Sequence, residues 1–228
     1  PLVRHILTRT IRDSRHCFAD GLLLKDDVVR ISGCSCEFLA SVRELPVSGE
    51  KTVSTGPPYR LAFLGRWHRN KGIDLLLESL GNLADRTWAR IEEVKICGGG
   101  SLEAQVRLGC EDLKKAGHPV TLGGYLDKCE AAHLLEWADY LLIPSRLESI
   151  PVVFSDAMQA RCPVISTPVG DIPRLIGQYG VGTLARDVTA KALSEAIDEA
   201  LDRSPSAYEK GLDQARADFD VRHVARYL

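Results

Sequence analysis

The sequence predicts an α/β fold in which a parallel sheet carries helices on both faces. Two observations predict it. From about residue 59, short apolar runs alternate with stretches in which apolar residues recur at helical spacing, and each apolar run ends at or near glycine or proline. Strands that alternate with helices form right-handed βαβ units, so the architecture is the doubly wound, Rossmann-like class.

The elements follow one another along the chain in this alternation. The apolar run 60–64 ends at Gly65, and the stretch after it places Ile73, Leu76 and Leu80 on one helix face. The predicted strands lie at 60–64, 94–97, 120–122, 139–143 and 163–166, and the predicted helices lie at about 71–84, 101–116, 129–136, 151–160 and 189–202.

The two ends of the chain differ from this alternating region. Residues 1–26 are typical of a strand end followed by a helix, and residues 28–31 are typical of a strand. Residues 43–58 are rich in proline and glycine, which predicts a loop. Residues 204–228 are charged and are predicted to be helical.

The composition is that of an ordinary globular protein, with 45% hydrophobic and 26% charged residues. A net charge of −2 argues against nucleic acid as a partner, because a phosphate backbone requires a clustered basic surface. Arginines do cluster near the start, at Arg4, Arg9, Arg12 and Arg15. They form either a solvated helix face or a contact with anionic lipid or a partner domain.

The seven cysteines are odd in number and irregular in spacing, which favours a reducing cytoplasm over a disulfide framework. Only Cys34 and Cys36 are close together, and they lack the partner pair or histidines of a zinc site, so we expect no metal. No signal peptide is visible, and no apolar run approaches the ~20 residues of a membrane-spanning helix.

Three loops that follow predicted strands are candidates for ligand binding, because α/β sheets bind ligands beyond the carboxyl ends of their strands. The loop 65–72 contains Arg66 and Lys71 before a helix, which suits either a pyrophosphate or a solvated basic loop. The loop 98–101 is glycine-rich, which allows close approach of a ligand or simply a turn. It does not form the G-x-G-x-x-G dinucleotide fingerprint.

The third loop contains a carboxylate just before the next predicted helix. We expect Ser149 to be the N-cap of that helix and Pro151 to lie in its first turn. Glu148 would then face the crevice, and Asp156 would lie about one turn inside the helix. Carboxylates accept hydrogen bonds from sugar hydroxyls, although a capping Glu148 and a surface Asp156 would explain the same residues.

Together, these loops resemble the retaining glycosyltransferases of family 4, also called group 1 glycosyltransferases. The resemblance covers residues 28–203 and, more loosely, the remainder to 228. The family pattern G-R-x4-K-G corresponds here to Gly65-Arg66…Lys71-Gly72, and the family's glycine turn corresponds to Gly98-Gly99-Gly100. The pattern P-S-x2-E corresponds to Pro144-Ser145…Glu148, and E-x7-E corresponds to Glu148…Asp156. Pro163–Ser166 with Gly170–Ile176 resembles a later family segment.

The resemblance implies a GT-B glycosyltransferase that transfers a hexose-type sugar from a nucleoside-diphosphate sugar with retention, and without a metal or another cofactor. Arg66 and Lys71 would hold the leaving diphosphate, Glu148 would orient the donor sugar, and Asp156 would accept from the ribose. The other residues implied to border the donor are Gly65, Gly98, Gly99, Gly124, Tyr125, Ser149, Ile150, Val152 and Val153. The resemblance assigns no nucleophile.

The resemblance also divides the chain into three parts. Residues 1–58 would be the end of an amino-terminal domain and a linker, residues 59–203 a Rossmann-like nucleotide-sugar-binding domain, and residues 204–228 a helix that returns to the amino-terminal domain. That domain would supply the site for a glycan or lipid-linked acceptor, so this piece alone is expected to be almost inactive. Such acceptors imply polysaccharide biosynthesis in the cytoplasm, with peripheral association at the inner membrane face as an option.

Three departures from the family pattern bear on the donor. Asp156 replaces the second glutamate and is shorter by about 1.5 Å, Pro151 supplies no backbone N–H, and Gly170-Asp171 stands where the family has two glycines. Two other functions fit the same pattern. They are a non-catalytic sugar-nucleotide-binding module and a sugar-nucleotide epimerase of the same fold.

Overall fold

A computed structural model describes residues 2–48 and 51–225. The strands are β1 (Phe18–Ala19), β2 (Glu37–Phe38), β3 (Tyr59–Arg66), β4 (Ile91–Gly99), β5 (Val120–Leu122), β6 (Tyr140–Ile143), β7 (Val164–Ser166) and β8 (Gly182–Leu184). The α-helices are α1 (Leu2–Asp13), α2 (Leu22–Ser32), α3 (Ile73–Gly81), α4 (Asp85–Trp88), α5 (Glu103–Lys115), α6 (Lys128–Trp137), α7 (Val152–Gln159), α8 (Ile172–Tyr179), α9 (Ala190–Asp202), α10 (Glu209–Asp218) and α11 (Val221–Val224). Short 3-10 helices span Arg69–Lys71 and Pro205–Tyr208.

The main sheet has six parallel strands in the order β5-β4-β3-β6-β7-β8, and β1 pairs with β2 in a separate parallel ribbon. Helix α3 contacts α5 and α9, while α7 contacts α6 and α10. These two groups of helices flank the sheet, which confirms the predicted doubly wound α/β fold.

The core lies between the sheet and these helices. Trp67, Tyr140 and Phe154 are its largest fully buried side chains, and burying a side chain such as Phe154 contributes about 1.5–3 kcal/mol. The Tyr140 hydroxyl donates to the Ala200 carbonyl at 2.9 Å, so it satisfies its polar group while it joins β6 to α9.

The strand order reverses between β3 and β6. From β3 the chain adds β4 and then β5 on one side, whereas β6 is followed by β7 and β8 on the other side. The helices that follow β3 and β6, α3 and α7, belong to the two different groups that flank the sheet, and a crevice forms where their connections separate. Such a reversal is where open α/β sheets bind ligands.

The prediction of a strand at 28–31 is wrong, because these residues belong to α2. The first two backbone N–H groups of this helix, those of Leu22 and Leu23, donate to the Asp171 carboxylate at 2.7 and 3.2 Å. Gly33 ends the helix in the left-handed conformation. The hydrogen bonds from Asp171 stabilise the start of the helix, and this stabilisation outweighs the strand preference of the adjacent residues Val28 and Val29.

The region predicted as a strand end and a helix is also different. It contains α1, the two-residue strand β1 and the start of α2. The sequence analysis also left β2, α4, α8 and β8 unassigned. No helix in the described ranges is both long enough and apolar enough to cross a membrane.

Candidate functional site

Two loops from the strand reversal lie side by side, one after β3 and one after β6. The backbone N–H of Arg146 donates to the Asn70 carbonyl at 2.8 Å, and its guanidinium donates to the Arg69 carbonyl at 2.9 Å. The same guanidinium contacts the Asp74 carboxylate at 2.6 Å. The loop that carries Lys71 is therefore fixed to the loop that carries Glu148.

Lys71 and Glu148 form an ion pair within this junction. The Lys71 ammonium donates to Glu148 Oε1, and the buried Ser145 hydroxyl donates to the same oxygen at 3.1 Å. The Glu148 side chain is 12% exposed and the Lys71 side chain 26% exposed, so both reach a common cavity rather than open solvent. A charged pair at a cavity wall can exchange its internal contact for a ligand that carries hydroxyls and phosphates.

This first cavity has a volume of about 310 Å³ and reaches the start of α7. The prediction that Ser149 caps this helix is wrong, because the N-cap is Pro151, which has no side chain to accept from the backbone. Ser149 lies against Gly21 instead and lines neither this cavity nor the second one. The backbone N–H groups of Val152 and Val153 have no acceptor within their own helix and border the cavity.

The missing cap follows from the fold. Ser149 and Asp171 both pack against Gly21 of the amino-terminal segment, where a side chain on Gly21 would have no room. An uncapped helix start beside a lysine favours an anion, because the helix dipole and the free N–H groups both attract negative charge.

Arg66 ends β3 at the mouth of the same crevice. Its side chain is exposed, and it makes no ion pair with any residue in 2–48 or 51–225. It lines a second cavity of about 330 Å³, which shares Gly65, Val152 and Val153 with the first. Among the described residues, Arg66 is thus a cation without a carboxylate partner that lines the second cavity, whereas Glu148 lines the first.

Gly98 of the glycine turn and Tyr125 both line the second cavity. The Gly98 N–H donates to the Gly124 carbonyl at 2.9 Å, and the ring of Tyr125 lies so close to Gly99 that a Cβ there would be 2.4 Å from it. Tyr125 is 73% exposed. An exposed aromatic ring beside backbone glycines provides a flat surface on which a base can stack.

Asp156 does not face the cavity as an open acceptor. Arg43 Nε donates to its two carboxylate oxygens at 3.0 and 3.1 Å, and Arg43 Nη2 donates to Oδ2 at 2.5 Å. Burial raises the pKa of the Asp156 carboxyl, and the Arg43 guanidinium opposes that rise. Both oxygens of Asp156 are therefore engaged by Arg43.

Most of the predicted site residues are brought together by this arrangement. The residues that line one or both cavities are Gly65, Arg66, Lys71, Gly98, Tyr125, Glu148, Ile150, Val152, Val153 and Asp156. Gly99 and Gly124 line neither cavity, but Gly99 packs against the Tyr125 ring and the Gly124 carbonyl accepts from the Gly98 N–H. Arg43 lines the second cavity but was not predicted, since it lies in a stretch that the sequence predicts only as a loop.

The described residues contain no group of three histidine, cysteine or acidic side chains that could hold a metal ion. The prediction of a reaction without a metal stays a prediction.

Removing the Asp74 charge is expected to loosen the junction of the two loops. Burial raises the pKa of Asp74, but the hydrogen bond and charge of Arg146 outweigh it and hold the pKa below its ordinary value. The ion pair therefore stabilises the fold above the unfolded-state pKa of about 3.9, and the stabilisation is lost as pH falls through the folded-state pKa. We expect Asp74→Asn to cost about 1 kcal/mol at pH 7.

Urea unfolding at a series of pH values measures this effect, and the wild type and Asp74→Asn should converge in acid. A matched control is Asp112→Asn, which removes an exposed carboxylate paired with Lys115 on the surface of α5. It should change the free energy of unfolding by less than about 0.5 kcal/mol. A constant difference between wild type and Asp74→Asn at all pH values would contradict the expectation.

With this geometry established, comparison with known sequences identifies the family. The sequence model described as "Glycosyl transferases group 1" matches residues 48–216, which is well over half of the chain. The chain therefore belongs to the group 1 glycosyltransferases. Membership of family 4 within that group stays a prediction.

Individual relatives agree with this assignment. The chain is 27% identical over 160 residues to a D-inositol 3-phosphate glycosyltransferase of Corynebacterium aurimucosum, a match that covers 66% of this chain and 37% of that protein. The chain thus spans well under half the length of this relative.

Solved structures share the fold at low sequence identity. A variant of S. aureus TarM in complex with Fondaparinux, alpha-GlcNAc-glycerol and UDP is similar with a TM-score of 0.77 at 15% identity, over 99% of this chain and 45% of that one. Anabaena HepE in complex with UDP-glucose is similar with a TM-score of 0.75 at 14% identity, over 98% of this chain and 66% of that one. These likenesses support the Rossmann-like fold of a GT-B glycosyltransferase.

Proposed function

We propose that this chain is the donor-binding part of a retaining glycosyltransferase, which transfers a hexose-type sugar from a nucleoside-diphosphate sugar to a glycan or lipid-linked acceptor. One observation carries the proposal. A single crevice at the strand reversal contains the Lys71–Glu148 pair, the exposed guanidinium of Arg66 and the uncapped start of α7. This set matches a ligand with two phosphates and several hydroxyls.

Each group has a role that its position supports. Lys71, Arg66 and the N–H groups of Val152 and Val153 bind the diphosphate and stabilise the charge that develops on it as the sugar leaves. Glu148 accepts hydrogen bonds from the sugar hydroxyls once the diphosphate has drawn Lys71 toward itself. These cations would make a metal unnecessary for the departure of the diphosphate.

The relatives support a uridine nucleotide as the first to test. Two structures with the same fold are described with UDP or UDP-glucose. The remaining part of the protein would supply the acceptor site, and a lipid-linked acceptor would place the enzyme at the cytoplasmic face of a membrane.

A thermal-shift measurement with UDP, GDP and ADP tests the donor site on this chain. We expect one diphosphate to stabilise the fold selectively, by roughly 2.7 kcal/mol at 100 times its Kd. Arg66→Ala should weaken that binding by about tenfold, because it removes a charged hydrogen-bond donor, and it should leave the ligand-free melting temperature unchanged.

The control for Arg66→Ala is Arg107→Ala, which removes an exposed arginine that pairs with Glu103 on α5. It should not change nucleotide binding. If no diphosphate stabilised the chain, or if the two variants bound equally well, the proposed donor site would be wrong. In the whole protein, the reaction product separates the alternatives: a glycoside with the anomeric configuration of the donor indicates a retaining transferase, and an isomerised sugar nucleotide indicates an epimerase.

A further inference from the structure

The pairing of Asp156 with Arg43 changes the hydrogen-bonding character of the donor cavity. The Asp156 side chain is fully buried, and Arg43 contacts both of its oxygens. A carboxylate in this state has little capacity to accept from a ligand hydroxyl, since doing so would weaken a buried ion pair. The acceptor role that the family pattern implies for residue 156 therefore conflicts with the structure.

Arg43 itself is open toward the cavity. Its side chain is 39% exposed, and it lines the second cavity together with Arg66, Gly98 and Tyr125. Its bonds to Asp156 use Nε and Nη2, and Nη1 has no acceptor among residues 2–48 and 51–225. The guanidinium thus has N–H groups left to donate to a ligand.

The backbone that carries Arg43 is held in place by α7. The Gln159 side chain donates to the Arg43 carbonyl at 2.9 Å and accepts from the Leu45 N–H at 3.2 Å. Together with the fork of bonds to Asp156, these contacts fix both the main chain and the guanidinium. Arg43 is therefore preorganised in the absence of a ligand.

Its location indicates which part of the donor it meets. The cavity that Arg43 lines contains both Tyr125, beside which a base can stack, and Arg66, which can donate to phosphates. Arg43 also engages there the carboxylate of residue 156, to which the family pattern assigns the ribose contact. We propose, on the basis of the donor-binding function above, that Arg43 binds the ribose hydroxyls of the nucleotide and replaces residue 156 in that contact. Arg43 is thus a specificity-determining residue that donates to the sugar of the nucleoside.

The balance of charge favours a ribose hydroxyl over a phosphate as the partner of Arg43. Asp156 lies in contact with the guanidinium and compensates its charge. Lys71 is likewise paired, but with Glu148 at the cavity wall, and Arg66 has no carboxylate partner within the described part of the chain. An arginine that is neutralised by a buried carboxylate acts mainly as a rigid hydrogen-bond donor, and a hydroxyl oxygen is a suitable acceptor for it.

Binding of UDP and of 2′,3′-dideoxy-UDP by calorimetry tests the inference. The wild type should prefer UDP by about tenfold, the ratio expected for a lost hydrogen bond to a charged group. Arg43→Gln should bind the two nucleotides with nearly equal affinity. The double variant Arg43→Gln/Asp156→Asn should show the same loss of preference, and it avoids leaving the Asp156 charge buried without a partner.

A matched control is Arg90→Gln, which removes a partly buried arginine from its pairs with Asp198 and Asp202 at the start of β4. It should retain the preference for UDP. A preference that survives in Arg43→Gln, whether or not the double variant loses it, or that is absent from the wild type, would overturn the role of Arg43 and leave the donor site intact. If the wild type bound neither nucleotide nor any other diphosphate, the proposed function would fail, and this inference with it.

Discussion

Replacing Lys71 by alanine is expected to abolish the stabilisation of this chain by a nucleoside diphosphate. It should also lower the rate of sugar transfer by the whole protein by at least about 100-fold, as is found when a group that stabilises developing charge is removed. Two effects add. The diphosphate loses its ammonium donor, and Glu148, which is only 12% exposed, loses the cation that balances it.

Three measurements separate these effects from simple damage to the fold. The melting temperature without ligand measures the cost of leaving the Glu148 charge without its cation. The increase in melting temperature with nucleotide measures the contact with the diphosphate. The transfer rate measures the stabilisation of the charge on the leaving diphosphate. Lys71→Arg should retain part of the binding because it retains the charge. Lys115→Ala, at an exposed position on α5, should alter none of the three. A full nucleotide shift in Lys71→Ala would show that the diphosphate lies elsewhere.

The fold was predictable where local sequence and tertiary structure agree. The strands β3 to β7 are short apolar runs that end near glycine or proline, and the helices between them have one apolar face, so periodicity alone places them. In α2 the local pattern and the tertiary contacts disagree. Its cap comes from Asp171, and no local signal predicts that contact.

The candidate site was predictable to a similar extent. The sequence placed Lys71 and Glu148 in two loops that follow strands of the same sheet, and the structure places the two side chains in contact. The fork from Arg43 to Asp156 joins residues 113 positions apart, and nothing in the residue types around Arg43 indicates it. The error at Ser149 has the same origin, because its side chain packs against Gly21, a contact with a distant segment that no local signal predicts.

Replacing Gly72 by alanine is expected to destabilise the fold by at least about 3 kcal/mol. Gly72 has φ of +67°, which costs an L-residue about 1–2 kcal/mol. In addition, a Cβ at this position would lie 1.7 Å from the Pro144 carbonyl oxygen, so one of the two backbones must move. Overpacking against backbone is among the few mechanisms with effects of this size.

The same clash should weaken nucleotide binding beyond its effect on stability. Gly72 follows Lys71 directly, and Pro144 begins the loop that carries Glu148, so separating them pulls the two charged groups apart. Gly177→Ala in α8 is the control, since a Cβ there would meet open space and remove the entropic cost of glycine in a helix. Chemical denaturation should show Gly177→Ala more stable than wild type by about 0.5–1 kcal/mol. Equal stabilities for the two glycine variants would mean that the close contact of Gly72 with Pro144 does not hold these loops together.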